Sequence, residues 1–184
     1  MKNQLRIIGG EWKRRQLPFA PIDDLRPTPD RVRETLFNWL MWDVQNAQIL
    51  DVCAGSGALS FEALSRGAEQ VIMVEPNMQQ AQFLKTNLEL LKVTNQKAKI
   101  KIATAQQAIP SLKDMFDVVF LDPPYKMNLW EELSLLVDPL IKPDGLIYVE
   151  ADQDLSRLTL PAHWQQIKNT KAGSVRAGLY QKKA

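Results

Sequence analysis

The chain has 184 residues, 45% of them apolar, and a formal net charge of +2. This length and apolar content fit one compact domain with a buried core, while one cysteine and one histidine exclude an internal disulfide and disfavour a zinc site. The residues after Met1 lead into no apolar segment and no run of about 18 apolar residues follows, so we expect a cytoplasmic protein with neither signal peptide nor membrane span.

The charge is unevenly distributed along the chain. Residues 1–15 carry a net charge of +4 and residues 165–184 carry +5, which leaves −7 for the middle. Basic ends around an acidic centre favour a polyanionic partner held by the termini. Charged termini that only interact with solvent would give the same pattern.

The N-terminal part is predicted to be a hairpin, a loop and a helix. Residues 5–8 and 15–19 have the pattern of short strands on either side of Gly9-Gly10. A loop is predicted for residues 20–27. Thr28 before Pro29 is typical of a helix N-cap followed by proline at the first helical position. The apolar spacing then predicts an amphipathic helix over residues 29–41.

From residue 48 onward, predicted strands alternate with predicted helices. The strands are expected at residues 49–52, 71–75, 98–103, 117–121 and 146–150, and the helices at 58–66, 77–92, 106–113 and 129–141. The last two strands, 164–170 and 174–182, have no helix between them and should form an antiparallel hairpin. We therefore predict an α/β fold with a doubly wound, mostly parallel, seven-stranded Rossmann-like sheet. All 184 residues form a single domain in this prediction, with residues 1–41 as a basic arm and helix and residues 42–184 as the core.

A glycine turn follows the first core strand, in the sequence Asp51-Val52-Cys53-Ala54-Gly55-Ser56-Gly57. Glycines at such a strand-to-helix turn let the backbone approach a ligand closely. Glu75 ends the next strand, where an acid commonly binds ribose hydroxyls in nucleotide-binding folds. A nicotinamide-binding turn would have a third glycine where this chain has Ser60. The acid Asp51 suits a cationic ligand, of which S-adenosylmethionine is one, although a tight turn without a ligand has the same pattern.

The sequence Asp122-Pro123-Pro124-Tyr125 directly follows an apolar strand. Two prolines cannot continue a sheet and hold the backbone in a rigid, extended turn. The Asp122 carboxylate and the Pro123 carbonyl oxygen could accept the hydrogens of an exocyclic base amine. Tyr125 could stack on a base drawn out of its helix. For Cys53 and His163, a packing or surface role is favoured over a catalytic one.

The Asp-Pro-Pro-aromatic motif resembles class I Rossmann-like methyltransferases that act on adenine N6, cytosine N4 or guanine N2. The N-terminal residues narrow the resemblance to one family. The chain resembles, over essentially its whole length, the RsmD family of bacterial small-subunit (16S) ribosomal RNA guanine-N2 methyltransferases. The matching residues are Arg6-Ile7-Ile8-Gly9-Gly10, 25–40 (LRPTPDRVRETLFNWL), 54–59 (AGSGAL), 62–68 (EALSRGA), Tyr148-Val149-Glu150 and Gly178-Leu179-Tyr180.

The resemblance implies S-adenosylmethionine as cofactor. As substrate it implies 16S ribosomal RNA within a partly or fully assembled small subunit. We expect the protein itself to be a monomer. Together with the motifs, it assigns catalysis to Asp122, Pro123, Pro124 and Tyr125. It assigns cofactor binding to Asp51, Ala54, Gly55, Gly57, Glu75, Pro76, Thr104, Ala105 and Asp122. Such enzymes often have Asp or Asn after the third core strand, where this chain has Thr104-Ala105.

The candidate RNA contacts lie on the basic arm and the following helix, at Arg6, Lys13, Arg14, Arg15, Arg31 and Arg33. The alternative is an arm that only covers the sheet edge or the cofactor. Two other functions fit the motifs less well. One is an adenine-N6 methyltransferase with the same Asp-Pro-Pro-Tyr chemistry, and the other is a non-catalytic RNA-binding or assembly protein.

Overall fold

The computed structural model describes residues 3–22 and 27–184. Two short strands, β1 (Gln4–Arg6) and β2 (Gln16–Pro18), pair antiparallel and form the predicted N-terminal hairpin. Helix α1 (Asp30–Trp39) follows. Some residues used in the sequence analysis lie outside the described residues. They are Lys2, which was counted in the charge of the N-terminal part, Leu25 and Arg26, which belong to the family resemblance, and part of the predicted loop.

The alternating strands and helices of the core are present. The strands are β3 (Gln48–Asp51), β4 (Gln70–Val74), β5 (Ala98–Lys101), β6 (Phe116–Leu121), β7 (Ile141–Ala151), β8 (Trp164–Ala172) and β9 (Val175–Lys182). The helices are α2 (Ala58–Ser65), α3 (Met78–Leu90), α4 (Ala105–Ala108) and α5 (Trp130–Val137). Within residues 3–22 and 27–184, no helix combines the length and the apolar character that crossing a membrane needs.

The seven core strands form one sheet in the order β5-β4-β3-β6-β7-β9-β8. Strands β3 to β7 are parallel, and β9 pairs antiparallel with both of its neighbours, as predicted for the last hairpin. The chain runs outward from β3 to β5 and then returns to place β6 on the other side of β3. The switch point of this doubly wound sheet therefore lies between β3 and β6, where ligands bind in such folds.

Apolar side chains pack on both faces of the sheet. On one face, α1, α2 and α3 pack together with the N-terminal hairpin, whose Leu5 and Leu17 are fully buried. On the other face, α4 and α5 cover the sheet with Trp130 and Leu133. The hairpin is thus part of the core, although it lies outside the seven-stranded sheet.

A buried glutamate attaches the segment after β1 to α2. The two carboxylate oxygens of Glu62 accept hydrogen bonds from the backbone N–H groups of Ile8 at 2.9 Å and Gly9 at 2.8 Å. Gly10 has a φ of 79°, and a side chain there would collide with the carbonyl oxygen of Ser65. This glycine lets the chain lie directly on the C-terminal end of α2.

Two local predictions were wrong. Thr28 makes no N-cap hydrogen bond, because Pro29 occupies the N-cap position of α1 and the Thr28 hydroxyl is bonded elsewhere. The strand predicted at residues 146–150 begins earlier, at Ile141, so that residues 143–145 lie inside β7. There the register shifts, so that Ile141 pairs with Phe116 and Leu146 already pairs with Val118. The predicted helices 106–113 and 129–141 each end in a short 3-10 segment, at residues 109–111 and 138–140.

Candidate active site

The site is built where three neighbouring parallel strands end. Asp51 is the last residue of β3, Glu75 directly follows β4, and Asp122 directly follows β6. In the sheet register Asp51 pairs with Met73 on one side and with Phe120 on the other. The three carboxyl groups are close enough that the charge of Glu75 acts on Asp51 and that of Asp51 acts on Asp122.

Two glycines with positive φ shape the turn after β3. Gly55 has a φ of 56° and Gly57, the N-cap residue of α2, has a φ of 82°. A side chain on Gly57 would collide with the side chains of Phe61 and Leu84. The turn is fixed to β4 because the Gly55 N–H donates to a carboxylate oxygen of Glu75 at 2.9 Å. Non-glycine residues adopt such backbone angles only at a cost, so the turn favours glycine at both positions.

Asp51 is buried, with 1% of its surface exposed, and uses only one of its carboxylate oxygens. Its Oδ2 accepts a hydrogen bond from the Ser60 hydroxyl at 2.6 Å, while Oδ1 has no partner among the described residues. Burial raises the pKa of Asp51 to about 7, with the Ser60 hydrogen bond opposing the rise and the charge of Glu75 adding to it. A buried carboxylate oxygen without a donor is costly unless a ligand supplies one, and a cation is the ligand that suits it.

Backbone N–H groups hold the Glu75 carboxylate in place. Its second oxygen accepts from the Asn77 N–H at 2.9 Å. Burial raises the pKa of this carboxyl group, and the hydrogen bonds from Asn77 and Gly55 oppose the rise. Pro76, the next residue, is exposed beside it. Each carboxylate oxygen has a further lone pair, so Glu75 can still accept hydrogen bonds from a ligand.

Thr104 and Ala105 lie at the start of α4, after β5. The Thr104 hydroxyl accepts from the Gln107 N–H at 3.2 Å, and the Thr104 N–H donates to the Gln107 side chain at 3.2 Å. This capping box uses the backbone N–H and one hydroxyl lone pair. It leaves the hydroxyl hydrogen of Thr104 available to a ligand, while Ala105 is buried beneath it.

The Asp-Pro-Pro-Tyr segment forms a rigid turn against α5. Pro123 is buried and Pro124 is exposed. The ring of Tyr125 stacks on Trp130, with ring centroids 6.2 Å apart and an angle of 24° between the planes. Tyr125 is half-buried, so Trp130 supports one face of its ring.

Asp122 carries a strongly perturbed carboxyl group. Burial raises its pKa well above the usual range, and the charges of Glu150 and Asp51 raise it further. Such a shift is typical of a functional carboxyl group.

Glu150 is the site residue that the sequence motifs did not single out. It lies near the end of β7, is 4% exposed, and its carboxylate accepts hydrogen bonds from three hydroxyl groups. The donors are Thr28 at 3.0 Å, Tyr148 at 2.7 Å and Tyr125 at 2.6 Å. The pattern of an apolar strand ending in an acid, shared with β4 and β6, was the signal that could have found it.

A packing role for Cys53 and a surface role for His163 stay predictions. Burial raises the pKa of the Cys53 thiol well above its usual value, which disfavours the nucleophilic thiolate. His163 is on the surface, where its Nε2 is 2.9 Å from a carboxylate oxygen of Asp138.

The basic arm is close to α2 rather than to the glycine turn. Lys13, Arg14 and Arg15 are exposed. The neighbouring Trp12 N–H donates to the Ser65 hydroxyl at 2.9 Å, at the C-terminal end of α2. Because an eight-residue helix is about 12 Å long, this contact of Trp12 lies about one helix length from the turn at the N-terminal end of α2.

The other basic candidates differ in accessibility. Arg6 is exposed and forms an ion pair with Asp30 at 3.3 Å. Arg31 is exposed and donates to the backbone oxygen of Lys171 at 3.4 Å. Arg33 is only 1% exposed and bonds to the Arg6 carbonyl oxygen at 2.7 Å and to Asp30 at 2.8 Å. Its guanidinium group holds β1, α1 and α2 together and is not accessible to RNA.

Comparisons with known proteins agree with this architecture. The family model described as Conserved hypothetical protein 95 matches residues 5–181. Ribosomal RNA small subunit methyltransferase D of Haemophilus influenzae is 44% identical over 98% of this chain and 95% of its own length. The protein of the same name from Escherichia coli strain K12 is 43% identical over 98% of this chain and 91% of its own. The solved structure of the yhhF protein from Escherichia coli has a TM-score of 0.90 at 41% identity and covers 99% of each chain.

Replacing Asp51 with Asn is expected to stabilise the ligand-free protein above pH 7. The folded-state pKa of about 7 lies above the usual value of 3.8. The wild-type chain therefore loses stability as the pH rises from about 4 through about 7, at up to about 1.4 kcal/mol per pH unit. Asp51→Asn lacks this loss. Between about pH 4 and pH 7, the free energy of unfolding of the variant should therefore rise relative to that of the wild type by a few kcal/mol.

Urea denaturation at pH 4.5, 6.0 and 8.0 measures this difference. The exposed Asp114→Asn provides a charge-matched control, with no pH-dependent gain expected. A constant difference between Asp51→Asn and wild type across this range would show that Asp51 has an ordinary pKa.

Proposed function

The chain belongs to the family described as Conserved hypothetical protein 95, that of ribosomal RNA small subunit methyltransferase D, and we propose that it methylates the exocyclic N2 amine of a guanine in 16S ribosomal RNA. S-adenosylmethionine is the methyl donor. One observation carries this proposal: the rigid Asp122-Pro123-Pro124-Tyr125 turn lies beside the buried Asp51, whose Oδ1 has no partner within the described residues.

The residues around Asp51 fit S-adenosylmethionine. This cofactor has an ammonium and a sulfonium group, and the open carboxylate oxygen of Asp51 suits the positive charge. Glu75 would accept the ribose hydroxyls. The turn of Ala54, Gly55 and Gly57 would lie against the cofactor, with Pro76, Thr104 and Ala105 beside the adenine. When bound, the cofactor supplies an electrophilic methyl group.

Asp122 and the Pro123 carbonyl oxygen would receive the base amine. The lone pair of an exocyclic amine is delocalised into the ring, which makes the nitrogen a weak nucleophile. Two fixed acceptors for the amine hydrogens favour a tetrahedral nitrogen whose lone pair is directed at the methyl group. As the nitrogen–carbon bond forms and the sulfur–carbon bond breaks, the amine gives up one proton, for which Asp122 is the nearest acceptor in this arrangement. Catalysis consists mainly of alignment and electrostatics.

The stacked Tyr125 would hold the flipped base. Its ring is supported by Trp130 on one side, and a base can stack on an aromatic face without regard to sequence. Such stacking does not distinguish guanine from adenine, and the resemblance to the methyltransferase D family supports guanine.

The RNA backbone would contact the exposed basic side chains. Lys13, Arg14 and Arg15 form the main group, with Arg6 and Arg31 nearer the start of α1. Arg33 is left out because it is buried. We further propose that the substrate is a partly or fully assembled small subunit in the cytoplasm and that the protein acts as a monomer.

Asp122→Ala should lower turnover about 100-fold or more while the affinity for S-adenosylmethionine changes little. Asp122 is assigned to the amine, so its contribution is realised mainly in the transition state. Methyl transfer from labelled cofactor to small-subunit particles gives the turnover, and calorimetry gives the cofactor affinity. The exposed Asp114→Ala serves as a control. If the variant kept normal turnover at saturating cofactor but bound the cofactor poorly, the role assigned to Asp122 would be wrong.

Removing the charges of the arm should weaken RNA binding and flatten its salt dependence. Deleting residues 1–15 would also remove the buried Leu5 and Ile7, so substitution of Lys13, Arg14 and Arg15 by Gln is the cleaner change. The slope of log affinity against log salt should fall by up to about one unit per lost phosphate contact. Cofactor affinity should stay the same.

A triple variant of Lys85, Lys99 and Lys113 to Gln removes the same charge from exposed positions elsewhere. The arm variant should have a clearly smaller salt slope than this control. Equal slopes in the two folded variants would mean that the arm is structural only.

A further inference from the structure

Glu150 connects three parts of the site that are distant in sequence. Its Oε1 accepts from Thr28, which precedes α1, and from Tyr148 in its own strand. Its Oε2 accepts from Tyr125. Residues 28 and 150 are 122 positions apart, so this carboxylate joins the N-terminal segment to the Asp-Pro-Pro-Tyr turn.

The same residue holds both rings of the aromatic stack. The Tyr125 hydroxyl donates to the Glu150 side chain, and the Trp130 indole N–H donates to the Glu150 backbone oxygen at 3.0 Å. A hydroxyl group has one hydrogen to donate, so that of Tyr125 is committed to Glu150. The orientation of the Tyr125 ring is thereby fixed before any ligand binds.

Glu150 also acts on Asp122 directly. Burial raises the pKa of the Asp122 carboxyl group, and the negative charge of Glu150 raises it further. Asp51 is the next carboxyl group beside Asp122, and Asp152 acts on Tyr125.

We propose that Glu150 is a positioning residue for methyl transfer, which orients Tyr125 against the base through the hydrogen bond from the Tyr125 hydroxyl. This inference rests on the proposed function. Glu150 itself touches neither the base nor the methyl donor in this arrangement and acts through Tyr125. Its donors lie on three different elements, so the carboxylate is preorganised at little cost during the reaction.

Glu150→Gln tests the proposal because it keeps the size of the side chain and removes its charge. We expect turnover to fall about tenfold or more, with cofactor affinity within about twofold of wild type. Without the neighbouring charge, Asp122 should lose its proton more readily. The rising limb of the pH–turnover profile should therefore move to lower pH by about one unit.

Two tyrosine variants separate positioning from stability. Tyr125→Phe and Tyr148→Phe each remove one hydroxyl donor to Glu150, but only Tyr125 presents a ring to the site, while Tyr148 is buried against Phe120. Tyr125→Phe should mainly lower turnover, by about fivefold or more, and Tyr148→Phe should mainly lower the melting temperature.

Measurements of turnover per folded protein decide the outcome. If the folded Glu150→Gln has wild-type turnover and an unshifted pH profile, or if the two tyrosine variants behave alike, Glu150 is structural only and the inference is overturned. A wild-type protein without any methyl transfer would instead contradict the proposed function. Methylation of adenine in place of guanine would leave the inference on Glu150 intact.

Discussion

The parallel pairing of β3 with β6 is the constraint on which the site depends. The pairing aligns Asp51 with Phe120, so the glycine turn after β3 and the Asp-Pro-Pro-Tyr turn after β6 leave the sheet side by side. A slip of one residue would turn the buried side chains of β6 to the opposite face. Because Val118 and Phe120 pack on one face and Val119 and Leu121 on the other, the packing of β6 fixes where the two turns meet.

The consequence of this arrangement is a group of acids in a poorly solvated place. Asp51, Glu75, Asp122 and Glu150 all lie at one edge of the sheet, and burial raises the pKa of the first three. Hydroxyl and backbone donors satisfy most of the carboxylate oxygens, on Glu75 through Gly55 and Asn77 and on Glu150 through its three hydroxyls. Among the described residues, Asp51 Oδ1 is the fully buried carboxylate oxygen without a hydrogen-bond donor. A buried carboxylate oxygen that lacks a hydrogen-bond donor is stabilised by a cation, so Asp51 is the acid of this group that is best suited to bind one.

Local sequence patterns predicted the elements and the two turns, because apolar periodicity, glycines and prolines act over a few residues. The roles that they missed depend on distant partners. Thr28 has the sequence signature of an N-cap, yet its hydroxyl bonds to Glu150 near the end of β7. Arg33 has the signature of an exposed helical arginine, yet packing of α1 on α2 buries it beside Glu62. Neither contact is encoded in the neighbouring residues, so only the folded chain reveals them.

Nucleoside mass spectrometry of small-subunit RNA from a strain lacking this protein tests the central claim most directly. The account predicts the loss of one N2-methylguanosine, mapped to a single position, and its return on complementation with the wild-type chain. Loss of a methyladenine with N2-methylguanosine intact would contradict the assignment of the base and favour adenine-N6 chemistry. An unchanged set of methylated nucleosides would contradict methyl transfer itself and favour a non-catalytic role in RNA binding or assembly.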